Sequence, residues 1–307
     1  MRILVTNDDG VGAPGLAALT RALMRWTAEV GSDGPAHEIV VVAPSSNYSG
    51  AGAAVGSVTD KTTIPYQRAT VEGAEGVEAY GLDASPALSV IAGALGAVGP
   101  KPDLVLSGIN HGVNVGRSIL HSGTVGAVLT ASQLGISGLA VSLRAGADPE
   151  PWESPADLAV ALIPLLLAAP ARTVLNLNVP ALPLADVRGL RWARVSGAGL
   201  IKSARGAVSW EAPNREEIEG PAAAEAAHSV MEGEPGKRGE IVLTVGSPFP
   251  HSSDFGLDAG AEDATLVAQG FAALTALRGP RADEDPELWS QLDRDLGPAL
   301  VPFHFAG

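Results

Sequence analysis

The sequence predicts an α/β fold built on a mostly parallel sheet. Three β-rich apolar runs each break off into a polar tip: MRILVTNDDG at 1–10, EIVVVAPSSNYSG at 38–50 and DLVLSGINHG at 103–112. Between the first two, Leu16, Leu19, Leu23 and Trp26 recur at helical spacing. Strand, helix and strand in that order form the unit from which parallel sheets are built. Strand ends in such a sheet open on one rim, where these folds assemble their sites.

The elements follow in order along the chain. Residues 2–6 (RILVT) are the first strand, residues 14–27 a helix, Gly31 to Gly34 a turn, and residues 38–43 a second buried strand stopped by Pro44. The Gly/Ala/Ser-rich stretch 49–57 reads as mobile or ligand-contacting, with strand-like pieces within 52–80 and a helix from Ala87 to Leu95. A third strand covers Asp103 to Ser107, and a Gly-rich loop then runs to a helix that opens near Ser122–Thr124 and ends near Leu134. Gly138 to Leu143 is a strand, Pro155 to Ala168 an apolar helix, and Thr173 to Leu177 a strand stopped by Asn178-Val179-Pro180. Regularity fades after residue 184. Strand-like pieces over 184–250 surround a charged, Ala-rich segment, Glu211 to Gly239, expected as loop. Asp263 to Leu277 returns to helical spacing, and Arg281 to Leu296 reads as an acidic surface helix. The expected division is a core at 1–183 and a limb at 184–307.

Composition narrows the function. A chain of 307 residues with 46% hydrophobic and 18% charged residues buries a sizeable core. A net charge of −14 works against an electrostatic grip on a nucleic-acid backbone. An anionic substrate would therefore have to be drawn in by a bound cation or by backbone dipoles. No cysteine is present, which removes disulfides, thiolate metal sites and cysteine nucleophiles. The longest apolar stretch, Leu158 to Ala169, contains Pro164 and is far shorter than the roughly 20 residues a spanning helix needs. The first residues enter a strand with no basic-then-apolar leader, so a cytoplasmic protein with no membrane partner is expected.

The three tips carry the chemistry. Asp8 and Asp9 are adjacent carboxylates whose repulsion needs a cation or hydrogen-bond donors to offset it; the plainer alternative is a helix cap beside a solvated side chain. Asn7 and Gly10 flank the pair, and Gly10 allows a tight turn. Ser49 and Asn110 sit on the other tips, where each by itself reads equally as a turn former. Together, oxygen donors of this kind suit a hard divalent cation. Ser122-Gly123-Thr124 opens a helix, whose free N–H groups and positive dipole end bind anions; an ordinary hydroxyl cap is the alternative. His111 and His121 flank this loop as packing residues, substrate donors or a general acid. Neither GxxxxGK[ST], nor GxGxxG after a strand, nor a GxSxG elbow occurs.

At ILVTNDDGVGAPG (3–15), VVAPSSNYSG (41–50), PDLVLSGINHGVNVG (102–116), HSGTVGAVLTASQLGISGLAVSL (121–143) and NLNVP (176–180), the chain resembles the SurE family. These are stationary-phase survival proteins that act as metal-dependent 5′/3′-nucleotidases. The resemblance implies a Rossmann-like core flanked by helices, a protruding C-terminal limb, and a homodimer or homotetramer. It also implies one Mg²⁺ or Mn²⁺ held by Asp8, Asp9, Ser49 and Asn110, with Asp8, Asp9 and Asn110 serving catalysis. The expected substrate is a nucleoside monophosphate, hydrolysed to nucleoside and phosphate. Asn7, Gly108, His111, Asn114, Ser122, Gly123 and Thr124 then fall on the substrate side, with backbone amides near Gly108 and Ser122 to Thr124 holding phosphate oxygens.

Departures from the family pattern fall at 84–89 (ASPALS), at Thr130 in place of the usual Glu, at His121 in place of Tyr, and at Glu262-Asp263 in place of Thr-Asp. They spare the four metal ligands and bear on the substrate side. Two rival readings follow: a phosphatase for another small phosphoester, and a catalytically silent binding protein on the same fold.

Overall fold

The computed structural model of the chain describes residues 1–30, 37–197, 201–207, 240–245 and 262–279. Its strands are β1 (Arg2–Thr6), β2 (Glu38–Pro44), β3 (Tyr66–Arg68), β4 (Glu78–Leu82), β5 (Leu104–His111), β6 (Ser137–Leu143), β7 (Val174–Val179), β8 (Leu190–Trp192), β9 (Ile201–Ala207), β10 (Glu240–Val245) and β11 (Ala272–Leu277). The helices are α1 (Pro14–Val30), α2 (Pro86–Ala94), α3 (Gly123–Gln133), α4 (Glu153–Ala161), α5 (Ile163–Ala168) and α6 (Asp263–Ala268).

Nine strands form one sheet in the order β3-β4-β2-β1-β5-β6-β7-β11-β8, while β9 and β10 pair separately as an antiparallel ribbon. The six strands from β4 to β7 are all parallel. From β1 the chain winds outward through β2 and β4, then returns to the other side of β1 and winds out through β5, β6 and β7. That reversal makes the β1/β5 boundary a topological switch point, and crevices at such points lie outside the carboxyl ends of the strands.

Helices cover both faces, so the parallel strands are apolar on both sides rather than alternating. Ile3 and Val5 of β1 pack with Leu16, Leu19 and Leu23 of α1 and with Ala156 and Ala159 of α4. Leu4, between them, faces the other way and packs with Val90 of α2 and with Val125 and Val128 of α3. α1 opens on Pro14, which has no N–H to leave unpaired there. α2 is capped by Ser85, whose side chain accepts from the Leu88 N–H.

The α/β prediction holds, and three local expectations change. Pro155 to Ala168 is two helices, α4 and α5, meeting at Leu162, with Pro164 in the first turn of the second, where proline is tolerated. Within 52–80 the strands are β3 and the start of β4. Asp263 to Leu277 is helix only as far as Ala268; Gly270 adopts φ +86 and the chain continues as β11. β11 runs antiparallel to β7 and places the late part of the chain inside the main sheet. Gly31 to Gly34, Glu211 to Gly239 and Arg281 to Leu296 lie outside the described residues. Among the described residues, no helix is long and apolar enough to cross a membrane.

Candidate active site

β1 lies between β2 and β5, so the three polar tips are neighbours on one rim. Residues 7–10 form a turn closed by Asn7, which donates to the Gly10 carbonyl (2.9 Å) and accepts from the Gly10 N–H (3.2 Å). Asn7 is fully buried, and its amide is occupied in shaping this turn. Gly10 takes φ +106 with the Ser46 backbone against it, so the turn is open to glycine and strained for other residues.

The turn presents two unequal carboxylates. Asp8 is 2% exposed and accepts the Thr124 hydroxyl on Oδ1 at 2.5 Å. Burial pushes its carboxyl above the ordinary value; the Thr124 hydrogen bond opposes this and the Asp9 charge adds to it. Asp9 is half-buried, with Oδ2 accepting the His111 N–H at 3.1 Å and Oδ1 facing Asn47 Nδ2 at 3.4 Å.

The loop after β2 is fastened to this turn through the backbone. The Tyr48 N–H donates to the Asp8 carbonyl at 2.7 Å, seating the loop whose next residue is Ser49. Ser49 is exposed, and its N–H is held by Asn47 Oδ1. On β5 the register slips between Ser107 and Asn110, so Asn110 pairs with Ser142 of β6. Asn110 gives Nδ2 to the Gly112 carbonyl at 2.6 Å, which leaves its side-chain oxygen as the acceptor at the rim. Gly108 has φ +138, and a Cβ there would fall 2.3 Å from the Val141 carbonyl, so that close approach requires glycine.

α3 aims its N-terminus at Asp8. Ser122 is the N-cap and accepts from the Val125 N–H at 3.1 Å. A Cβ on Gly123 would lie 2.7 Å from Asp8 Cβ and 2.9 Å from Asp8 Oδ2, so helix and carboxylate touch through a missing side chain. Gly126 meets the Gly52 carbonyl in the same way, at 2.3 Å, and the Gly52 N–H donates to the His121 carbonyl. His121 itself is exposed.

Asn114 is buried beside the rim and works as a joint. Its N–H goes to Asn178 Oδ1 (2.7 Å), its Nδ2 to Ser142 (2.9 Å), and its carbonyl accepts from Asn176 (2.9 Å) and Asn178 (3.1 Å). Like Asn7, it spends its groups on holding a loop. His111 is paired through Nε2 with Glu150 Oε1 at 3.0 Å and lies 5.7 Å from the Trp152 ring. Burial raises the Glu150 carboxyl, but the Gly146 N–H and His111 outweigh it and hold it below the ordinary range. Glu150 was not apparent from the sequence, because its partner lies 39 residues away across two strands.

The positions that depart from the family pattern are used structurally. Ser85 caps α2 and donates to the Ala54 carbonyl, and Thr130 donates to the Gly126 carbonyl inside α3. Beside the departing Glu262, Asp263 keeps the aspartate of the Thr-Asp pattern; it is fully buried and accepts backbone N–H groups from Gly116, Ser196 and Ala264.

Two carboxylates with one amide and one hydroxyl oxygen make an all-oxygen donor set, which fits Mg²⁺ or Mn²⁺ better than a softer metal. Among the described residues no group of three or more His, Cys, Asp or Glu lies close enough to hold a metal. Any cation at this rim therefore needs the neutral oxygens as well.

Comparison with known proteins places the same stretch of chain. A 5′/3′-nucleotidase SurE of Cronobacter sakazakii is 37% identical over 196 residues, 63% of this chain and 69% of that protein. A 5′/3′-nucleotidase SurE of Erwinia tasmaniensis is 31% identical over 280 residues, 90% of each chain. The crystal structure of a SurE protein from Aquifex aeolicus superposes with a TM-score of 0.62 over 97% of this chain and all of that one, at 24% identity. Residues 3–200, which carry all three polar tips and the start of α3, match the family described as Survival protein SurE, and to that family this chain belongs.

Proposed function

We propose that the chain is a metal-dependent phosphomonoesterase that releases phosphate from nucleoside 5′- or 3′-monophosphates. The observation that carries this reading is the contact of three separate segments with the Asp8-Asp9 tip: the Tyr48 N–H on the Asp8 backbone carbonyl, the His111 N–H on the Asp9 carboxylate, and the α3 N-terminus on the Asp8 carboxylate. Its relatives in Cronobacter and Erwinia are named 5′/3′-nucleotidases.

Asp8, Asp9, Ser49 and Asn110 are the residues that would hold one Mg²⁺ or Mn²⁺. When bound, such a cation supplies neutralisation of the phosphate oxygens and a lowered pKa for water. The chain's own groups do the rest. Thr124 fixes the Asp8 carboxylate in one orientation. The positive end of α3, whose Thr124 backbone also bonds the Asp8 carboxylate, favours developing negative charge. His111, held by Glu150, stands beside Asp9 as a donor to the substrate.

The nucleoside has room on the same rim. A cavity of about 330 Å³ is lined by Arg144 and Gly146 after β6, Pro180 and Leu182 after β7, and Val267 beside them, a size within the range of ligand pockets. The Gly146 N–H and His111 share Glu150 Oε1, so one carboxylate links the cavity wall to His111. β6 and β7 are the next two strands of the sheet after β5, which carries Asn110. Neither Ser85 nor Thr130 lines this cavity.

Phosphate release from a panel of nucleoside 5′- and 3′-monophosphates and sugar phosphates, with Mg²⁺ or Mn²⁺, tests the proposal. Nucleotides are expected to lead. Preference for a sugar phosphate over every nucleotide overturns the substrate class. Full activity in Asp8→Asn or Asp9→Asn overturns the site.

A further inference from the structure

We infer that Asp263 is a positioning residue that couples the C-terminal limb to the anion cradle at the start of α3; the inference rests on the reading of Ser122–Thr124 as that cradle. Asp263 is fully buried, and among the described residues each partner of its carboxylate is a backbone N–H. Oδ2 accepts from Gly116 (2.9 Å), and Oδ1 accepts from Ser196 (2.9 Å) and Ala264 (2.7 Å). The Asp263 N–H in turn donates to the Arg194 carbonyl at 2.9 Å.

The places joined are widely separated in sequence. Arg194 and Ser196 are where the chain leaves the main sheet after β8, and Asp263 is where it comes back as α6. Both ends of the intervening limb therefore meet at one carboxylate. Gly116, 147 residues away, begins a 3₁₀ segment that runs to His121 and ends at the Ser122 cap of α3. Internal bonds stiffen that segment: Ser118 N–H and hydroxyl to the Val115 carbonyl, and Ser122 N–H to the Ile119 carbonyl. Asn176 and Asn178 fix its start through Asn114. Asp263 is the point at which the limb, rather than the core, holds this loop.

The bonding pattern makes one substitution selective. Asparagine offers a single acceptor oxygen and a donating NH₂. Keeping the Ser196 and Ala264 bonds turns the NH₂ onto the Gly116 N–H, donor against donor. Asp263→Asn thus preserves two tethers and releases the loop, whereas Asp263→Ala loses all three.

The test uses the full-length chain with Mn²⁺, a nucleoside monophosphate and inorganic phosphate as inhibitor. Asp263→Asn is expected to raise both KM and the phosphate inhibition constant about 10-fold, the size of a typical coupling between sites. Its thermal midpoint is expected to fall less than that of Asp263→Ala. A lowered midpoint with unchanged KM and phosphate inhibition leaves a scaffold role only and overturns the coupling. Hydrogen exchange on the wild-type chain gives a readout independent of the variants' folding. Phosphate should slow exchange at Ser196 and Ala264 as well as at Gly116 and Gly123, and no change at Ser196 and Ala264 overturns the coupling. A wild-type chain that binds no phosphate at all overturns the cradle itself, and the inference with it.

Discussion

Thr124 donates its hydroxyl to Asp8 Oδ1 at 2.5 Å, joining the first turn of α3 to the tip of β1 across 116 residues of sequence. Through this bond the first turn of α3 is fixed against the buried carboxylate at the tip of β1, the two groups assigned to phosphate and cation in the proposed function. Thr124→Val keeps the shape and removes the donor, leaving a buried carboxylate short of a partner. Turnover is expected to fall roughly 10- to 100-fold, the range for residues that orient metal ligands. Thr124→Ser should restore most of it. Steady-state kinetics on the two variants decide the matter.

Asp8 also sets a pH dependence. Its carboxyl is raised from 3.8 by burial first and by Asp9 second, against the Thr124 bond. In the metal-free protein below pH 3.8 the group is neutral folded and unfolded, and it costs nothing. As pH rises through the raised value the folded state must bury a charge, and stability is lost. Asp8→Asn is therefore expected to be more stable than the wild type near neutral pH in a chelator, by on the order of 1 kcal/mol, while losing activity. The advantage should shrink toward zero in acid. Thermal midpoints across pH, with and without Mn²⁺, measure it.

The Gly126–Gly52 contact carries the loop that bears Ser49. A methyl at 126 would sit 2.3 Å from the Gly52 carbonyl, so the backbone of 51–53 must move. Gly126→Ala is expected to cost about 1–3 kcal/mol as overpacking. It should also weaken Mn²⁺ binding by displacing Ser49. Titration calorimetry with Mn²⁺ on the folded variant checks the second effect apart from the first.

The cavity beyond β6 and β7 gives a substrate-specific prediction. Leu182→Trp fills part of its wall, so KM for nucleoside monophosphates should rise about 10-fold, an amount set by lost pocket contacts. KM for p-nitrophenyl phosphate, which has no ribose to reach so far, should stay near wild type. Equal changes for both substrates would remove the nucleoside from this cavity.

The parallel sheet was legible because β1, β2 and β5 are short apolar runs with polar ends, and α1 has an unbroken apolar stripe between two of them. The rim residues were legible for the same reason: strand direction alone puts Asp8, Ser49 and Asn110 on one side of a sheet. β11 was not, since Ala272 to Leu277 is a short apolar run that fits either period, and only Gly270 at φ +86 separates it from α6. Asn7 and Asn114 sit where substrate donors were expected, but a carboxamide can as readily close a turn, and both are engaged in the backbone. Glu150 gave no signal, and Asp263 was visible only as part of a family pattern with no role attached, because their partners are 39 and 147 residues away. A carboxylate that serves a distant backbone amide can be found only once the fold brings the two together.

Anomalous diffraction from crystals grown with Mn²⁺ examines the four-oxygen site without recourse to activity. A single strong peak within bonding distance of Asp8, Asp9, Ser49 and Asn110 is expected, lost in Asp9→Asn. A Mn²⁺ ion bound elsewhere, with this rim empty at saturating metal, would contradict the account.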